Sequence, residues 1–549
     1  MIVAKRAHVY PQISLAASDL TDVAIAAAPA GLGVAEALVL ARKRNAGVIA
    51  AGASCVLRDD LVRATSLGLG ALRAAQLARA LPVVEPTASE VKVRRLLATG
   101  SPLVVVRSAR GVIGAVSGRL AGLRLAEASA AGRVSRGLPA LVRELLGTIG
   151  RIAEEQDGRA YLVGGLVRDL WRGATLDRRD LDIVVEGDGP VLARRLGGAL
   201  GGSVVEHRRF LTASVETPTF GRIDVATARS ERYESPGALP RVLPAGIAED
   251  LRRRDFTVNA LAIELSSGDF GLIDPFGGRD DLTRRRLRVL HPLSYIEDPT
   301  RIFRAARYAA RLGLAPDRAT MRAQALALRL VPYSALSGQR IAAELELILG
   351  ESHAGTILLR LGRSGAFRLL DAGYRFTAAS GRRLGGLAEA LVWARGRGLD
   401  VDGVGLVALA LADSRPAAAS ALFARLGFTG GPLTNLERAH ATARGLASRL
   451  AAAGAPSARA RALRACAPIE LAWLRLVGGR EVRATVDWFA GLDPRGVSLS
   501  GDDVVALGVP RGPAVARILA EMRDARLDGM LASRAMEEAH VRQWIAKGG

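Results

Sequence analysis

The chain is 549 residues long and carries 76 Lys and Arg against 54 Asp and Glu, a formal net charge of +22. That length exceeds what one hydrophobic core organises, and roughly 100–200 residues per domain gives about three to five domains. The charge excess points to a polyanionic partner such as nucleic acid, while two distant cysteines, Cys55 and Cys466, exclude a disulfide framework or zinc site.

In chain order, residues 23–35 form the longest apolar stretch near the start, but they hold Pro29 and two glycines and stop at Glu36. The stretch is too short to cross a bilayer. No membrane contact and no secretory signal are expected, and the expected location is cytoplasmic. Residues 34–45 read as an amphipathic helix, followed by strands at 47–50 and 55–57 and a second helix near 59–61. The same order returns with a helix over 90–98, a strand over 103–106, a turn at 108–111 and a strand over 112–116. Two copies within about a hundred residues resemble a tandem pair of CBS modules. The resemblance implies an adenine nucleotide in the cleft between the copies; Leu57 and Arg119 stand where a hydroxyl residue and an acid are often found, so a purely structural role stays open beside it.

Residues 120–158 are helical in pattern, 160–290 mix short apolar strands with turns, and from about 291 onward Ala, Leu and Arg-rich segments predict helices. The breaks fall near 379–387, 396–404, 429–433, 454–457 and 508–513.

Three motifs carry chemistry. In the first, Tyr161-Leu-Val-Gly164-Gly165-Leu-Val-Arg168 sets a Gly-Gly turn between a strand and a short helix, and Asp180-Leu-Asp182 then opens a second strand. Residues two apart on a strand share a face, so Asp180 and Asp182 present paired carboxylates suited to a hard divalent cation. A backbone without side chains lets a phosphate approach closely. In the second, Asp250-Leu-Arg-Arg-Arg254-Asp255-Phe-Thr-Val-Asn259 offers guanidinium forks for phosphate and a carboxylate and amide for a ribose hydroxyl. The third is Glu297-Asp298-Pro-Thr-Arg301-Ile-Phe-Arg304-Ala-Ala-Arg307. On one helix Glu297 would lie four residues before Arg301 and fix its guanidinium; Asp298 and Arg301 together could read the hydrogen-bonding edge of a base.

Together these motifs resemble the class II tRNA nucleotidyltransferases, the bacterial CCA-adding enzyme and poly(A) polymerase family. The likeness covers about 140–350, including the segments at 274–278 and 338–349. It implies that Asp180 and Asp182 are catalytic and bind two magnesium ions, with Asp224 a third candidate carboxylate. It implies nucleotide contacts from Gly164, Gly165, Arg168, Arg254, Asp255 and Asn259. Asp298 and Arg301, oriented by Glu297 with Arg304 and Arg307 nearby, would template CTP or ATP.

The expected fold is α+β and multidomain. A tandem CBS-like α/β region (1–125) is followed by a polymerase-β-like mixed α/β nucleotidyltransferase head (126–285), an all-α neck (286–350), a helical body (351–480) and a tRNA-binding helical tail (481–549). The expected partners are the tRNA acceptor arm and ATP, CTP or both, and not DNA. The expected reaction adds C, A or both to the tRNA 3′ end with release of pyrophosphate. Two alternatives stay open: a poly(A) polymerase, and a CBS-based nucleotide sensor with an inactive head. The six scattered histidines, none followed by Asp, give no sign of a metal phosphohydrolase module.

Overall fold

In the computed structural model, which describes residues 15–51, 54–118, 126–127, 137–174, 181–266, 270–412, 415–492 and 496–548, the repeated segment folds twice in one topology. Strand Ile25–Ala28 runs parallel to Val48–Ala51, which pairs antiparallel with Ser54–Leu57. Strand Val83–Val84 is likewise parallel to Leu103–Ser108, and that strand is antiparallel to Gly111–Ser117. The helix between the parallel strands is Val34–Lys43 in the first copy and Glu90–Ala98 in the second. Val34, Ala37, Leu38 and Ala41 are the buried residues of the first helix, the three-and-four spacing of an amphipathic helix. Ser89 caps the second by accepting from Lys92 N. Val48, Leu103 and Ala115 then join one core across the two copies. The opening strand of each copy escaped the sequence reading because two to four small or branched residues carry no alternation.

The head is an eight-stranded sheet in the order Ser203–His207, Thr212–Thr217, Gly221–Thr227, Leu181–Glu186, Arg159–Val163, Ala262–Glu264, Leu272–Ile273, Ala126–Glu127. Every pairing is antiparallel except Gly221–Thr227 with Leu181–Glu186. Helices Ala140–Glu154 and Gly189–Leu200 pack on the sheet and on each other. The second of these is capped by Asp188, carries Pro190 in its first turn and ends at left-handed Gly201, each a feature that fixes a helix boundary. A separate core joins Tyr161, Val163 and Val184 to Ile247, Leu251, Ala260 and Leu290, and each fully buried Val, Ile or Leu side chain there contributes about 1.5–3 kcal/mol.

The chain divides into two compact units, Met1–Leu336 and Ser337–Gly549, so the division falls inside the expected neck of 286–350. That neck is not purely helical: Arg286–Leu287 pairs in parallel with Ala315–Pro316. From Gly338 onward the described residues form helices and no strand. Near the end of the second unit, Val504, Ile518, Met522 and Val541 build their own core. Asp528 accepts from Ser457 N at 2.9 Å and from its hydroxyl at 2.7 Å, tying the expected body and tail together within that unit.

Candidate functional site

The site grows from the turn after strand Arg159–Val163. Gly164 has φ +81°, a backbone setting that L side chains adopt only with strain. A Cβ there would stand 3.3 Å from Arg254 Nη1 and 3.6 Å from Asp182 Oδ2. Glycine thus allows a guanidinium and a carboxylate from distant parts of the chain to converge on bare backbone. The helix after it, Gly165–Trp171, has only seven residues.

Asp182 is exposed on strand Leu181–Glu186. Asp180 lies outside the described residues. Asp224 is the register partner of Asp182 on the parallel strand Gly221–Thr227, so the two carboxylates share one face of the sheet. Asp224 accepts from Ser214 Oγ and from Arg222 Nε. Among the described residues, no three His, Cys, Asp or Glu side chains gather closely enough to hold a metal ion.

Arg254 donates to Asp250 Oδ2 at 3.0 Å, and its Nε is buried with no hydrogen-bond partner. Asp250 is fully buried and also accepts from Arg253. Burial raises the Asp250 carboxyl, but Arg254 and Arg253 outweigh it and hold the group below its ordinary range. Asp250, at the edge of the motif in the sequence, aligns both arginines.

Arg168 is 3% exposed. Its Nη1 donates to Asn259 Oδ1 at 2.6 Å and its Nε and Nη2 to Asp169 at 2.9 Å, beneath the Tyr308 ring at 5.6 Å. Asn259 Nδ2 in turn donates to Asp255 Oδ1 at 3.0 Å. These residues therefore form a buried hydrogen-bonded chain behind the turn. Gly165 lies against the same guanidinium, 3.3 Å from its would-be Cβ to Arg168 Nη2.

The third motif is split. Helix Ser294–Glu297 stops at Asp298, whose backbone is extended at φ −133° and ψ 94°, and a new helix runs Arg301–Leu312. The expected single helix, with Glu297 and Arg301 paired along it, is replaced by two. Pro299 has no N–H to give and disfavours helical backbone at the residue before it. Asp298 Oδ1 accepts instead from Thr300 N at 3.1 Å and Thr300 Oγ1 at 2.6 Å. Arg301 donates to Ser294 Oγ and to Arg253 O, each at 2.8 Å. Glu297 receives Arg63 Nη1 at 2.7 Å and faces His291 Nε2 at 3.3 Å. Burial pushes the His291 imidazole down to about 4. Burial also raises Glu297, but His291 and Arg63 overcome it and bring that carboxyl to about 2. Arg304 lies 3.6 Å from both Asp255 and Asp298, joining the second motif to the third. Arg307 is buried with its guanidinium 4.9 Å from the Tyr308 ring centre. Arg63, Ser294 and His291 were missed because nothing in their local sequence marks them.

Residues 160–288 match the family model described as the poly(A) polymerase head domain. The A-adding tRNA nucleotidyltransferase of Geobacter sulfurreducens is 42% identical over 238 residues, which are 43% of this chain but only 27% of that protein. The CC-adding tRNA nucleotidyltransferase of Deinococcus radiodurans is 36% identical over 393 residues, 71% of this chain and 90% of that one. Among solved structures, a CCA-adding enzyme in complex with ATP superposes with a TM-score of 0.65 at 26% identity, covering 76% of this chain and 99% of that one.

Proposed function

We propose, since this chain belongs to the tRNA nucleotidyltransferase family, that it is a template-independent enzyme adding C, A or both to the 3′ end of tRNA. The observation that carries the reading is the convergence at Gly164. An exposed carboxylate, an arginine with an orphaned buried Nε and a side-chain-free backbone meet at one point. Arg254, its side chain 17% exposed and anchored by Asp250, offers its guanidinium to a triphosphate oxygen at that bare backbone.

Asp180 and Asp182, with Asp224 beside Asp182 in register, are the residues to hold divalent cations, and an all-oxygen donor set suits magnesium. Magnesium held there would supply activation of the RNA 3′-hydroxyl and neutralisation of the triphosphate charge, the chemistry of a two-ion site. The hydroxyl oxygen gives its proton to water and forms a bond to the α-phosphorus, the bond from that phosphorus to the oxygen bridging it to the β-phosphate breaks, and pyrophosphate leaves. Arg254 meets the phosphates at the Gly164–Gly165 turn. Asp255 and Asn259, locked to each other and to Arg168, border the ribose. Asp298 and Arg301 face the base, and the hydrogen bonds from Thr300 to Asp298 and from Arg301 to Ser294 and Arg253 O set their directions before a nucleotide arrives. The basic helical region follows the acceptor arm through its phosphates, as A-form RNA is read mainly by shape and backbone.

The solved relatives bound to ATP, to CTP and to tRNA are the reason to offer both nucleotides. The test presents tRNA ending before CCA, after CC and after CCA, each with CTP, ATP or both, and magnesium. Addition that stops at a completed CCA end supports the proposal, and the pattern of single-nucleotide incorporation names the specificity. Untemplated poly(A) growth on generic RNA would instead favour a polymerase, and tRNA binding without incorporation would overturn catalysis.

A further inference from the structure

The helix Ser294–Glu297 is a single turn, and a turn that short does not hold itself in water. Its position must come from what it touches, and part of that is supplied from over two hundred residues upstream. Arg63, on helix Arg58–Ser66 of the first repeat copy, donates to Glu297 at 2.7 Å. The Glu297 side chain is 3% exposed and that of Arg63 29%. The chain leading into the same turn is held from the repeat as well. Arg79 Nη1 donates to Leu290 O at 3.0 Å, and Arg79 is itself fixed by a two-pronged pair with buried Asp60 at 2.6 and 2.7 Å.

A second seam keeps the repeat in register with the head. A Cβ on Gly100 would come within 1.8 Å of Phe276 O, and one on Gly277 within 2.2 Å of Thr99 O. Arg288 Nη2 bridges the seam by donating to Thr99 O at 3.2 Å and Phe276 O at 2.7 Å. Backbone that close leaves no room for sliding.

We infer that Arg63 is a positioning residue of the nucleotide-selecting site, holding Glu297 and through it the turn that presents Asp298, so that the N-terminal repeat forms a working wall of that site. The inference rests on the proposed nucleotidyltransferase reading. Arg63 acts through Glu297 and does not itself touch the nucleotide. Glu297, expected from the sequence to fix Arg301, is instead engaged by Arg63, while Arg301 is anchored by Ser294 and Arg253 O.

The full-length protein with Arg63→Gln, Arg63→Lys, Glu297→Gln and the Arg63→Gln/Glu297→Gln pair tests it. Each variant is checked for folding by circular dichroism, then assayed for nucleotide KM, kcat, ATP-against-CTP choice and tRNA affinity. Arg63→Gln should raise nucleotide KM about 10-fold and blur the choice of base, while changing tRNA affinity less than about two-fold. Lysine should restore most of the loss, and Arg63→Gln should add little in the Glu297→Gln background. Wild-type KM and base choice in a folded Arg63→Gln protein would overturn the inference, as would equal impairment by glutamine and lysine. If the wild-type chain extends no tRNA end, the proposed function fails by itself. Titration with a fluorescent ATP analogue then decides Arg63 separately: unchanged affinity in Arg63→Gln overturns the inference, and weakened affinity with lysine rescue upholds it. Should Arg63→Gln not fold, the double variant removes both charges, and nucleotide KM equal to wild type there overturns the inference.

Discussion

At the scale of single residues, the site depends on which groups are exposed and which are buried. Asp182 is exposed on its strand, so Asp182→Ala should leave the fold intact and cut incorporation on the order of 10²–10³-fold or more, the usual cost of losing one electrostatic element of a transition-state site. Unchanged tRNA binding beside lost labelling of the tRNA end is the expected pair of results. The buried pair His291 and Glu297 makes stability fall in acid. His291 is held down at about 4 by burial, so the unfolded chain takes a proton near 6.5 that the folded chain refuses, and stability drops as pH falls from about 6.5 to about 4. Glu297, held at about 2, adds a loss in the same direction below its ordinary range. Thermal melts from pH 7.5 to 4.5 should therefore show a steeper decline for wild type than for His291→Gln. The acids and arginines proposed for the site are legible in the sequence because Gly-Gly, Asp-Leu-Asp and Arg-Arg-Asp are local patterns. His291 was not legible, since its role is set by burial beside Glu297.

At the scale of elements, the break between Ser294–Glu297 and Arg301–Leu312 decides how Asp298 and Arg301, proposed to face the base, are aimed. Helical periodicity carried the sequence reading straight through Pro299, which a first turn tolerates. The structure ends one helix and begins another, because the side chain of Asp298 takes the N–H and hydroxyl of Thr300. Thr300→Val keeps the shape of this 2%-exposed side chain and removes its hydroxyl. Stability should fall by about 1 kcal/mol, seen in denaturant midpoints, and nucleotide KM should rise while tRNA affinity stays put. The head sheet shows a similar limit. Strand Leu181–Glu186 was expected from its apolar run, but its parallel pairing with Gly221–Thr227, which sets Asp224 beside Asp182, joins strands forty residues apart and has no local signature.

At the scale of the whole molecule, charge speaks most clearly. A formal +22 spread over 549 residues should make tRNA binding strongly salt-dependent, and neutralising four phosphates would cost about 10²-fold in affinity between 50 and 200 mM salt. Filter binding across that range should give a straight line of log affinity against log salt, and a flat line would separate binding from the basic surface. No helix among the described residues is long and apolar enough to cross a membrane. The two units, Met1–Leu336 and Ser337–Gly549, place the repeat and the head within one compact body. That grouping puts the N-terminal repeat in the same unit as the proposed site.

The sequence by itself determined the family, the mixed head, the helical remainder and most of the residues proposed for the chemistry. Those follow from short-range patterns, in which each motif is read within a few turns of chain. Tertiary structure alone decided that Asp224 neighbours Asp182, that Arg168 is locked to Asn259 and Asp169, and that Glu297 is engaged by Arg63. Apart from the neighbouring Arg168 and Asp169, these are pairings between residues far apart in the chain. They depend on which surfaces the fold buries together, and a buried charge must find its partner wherever packing places one.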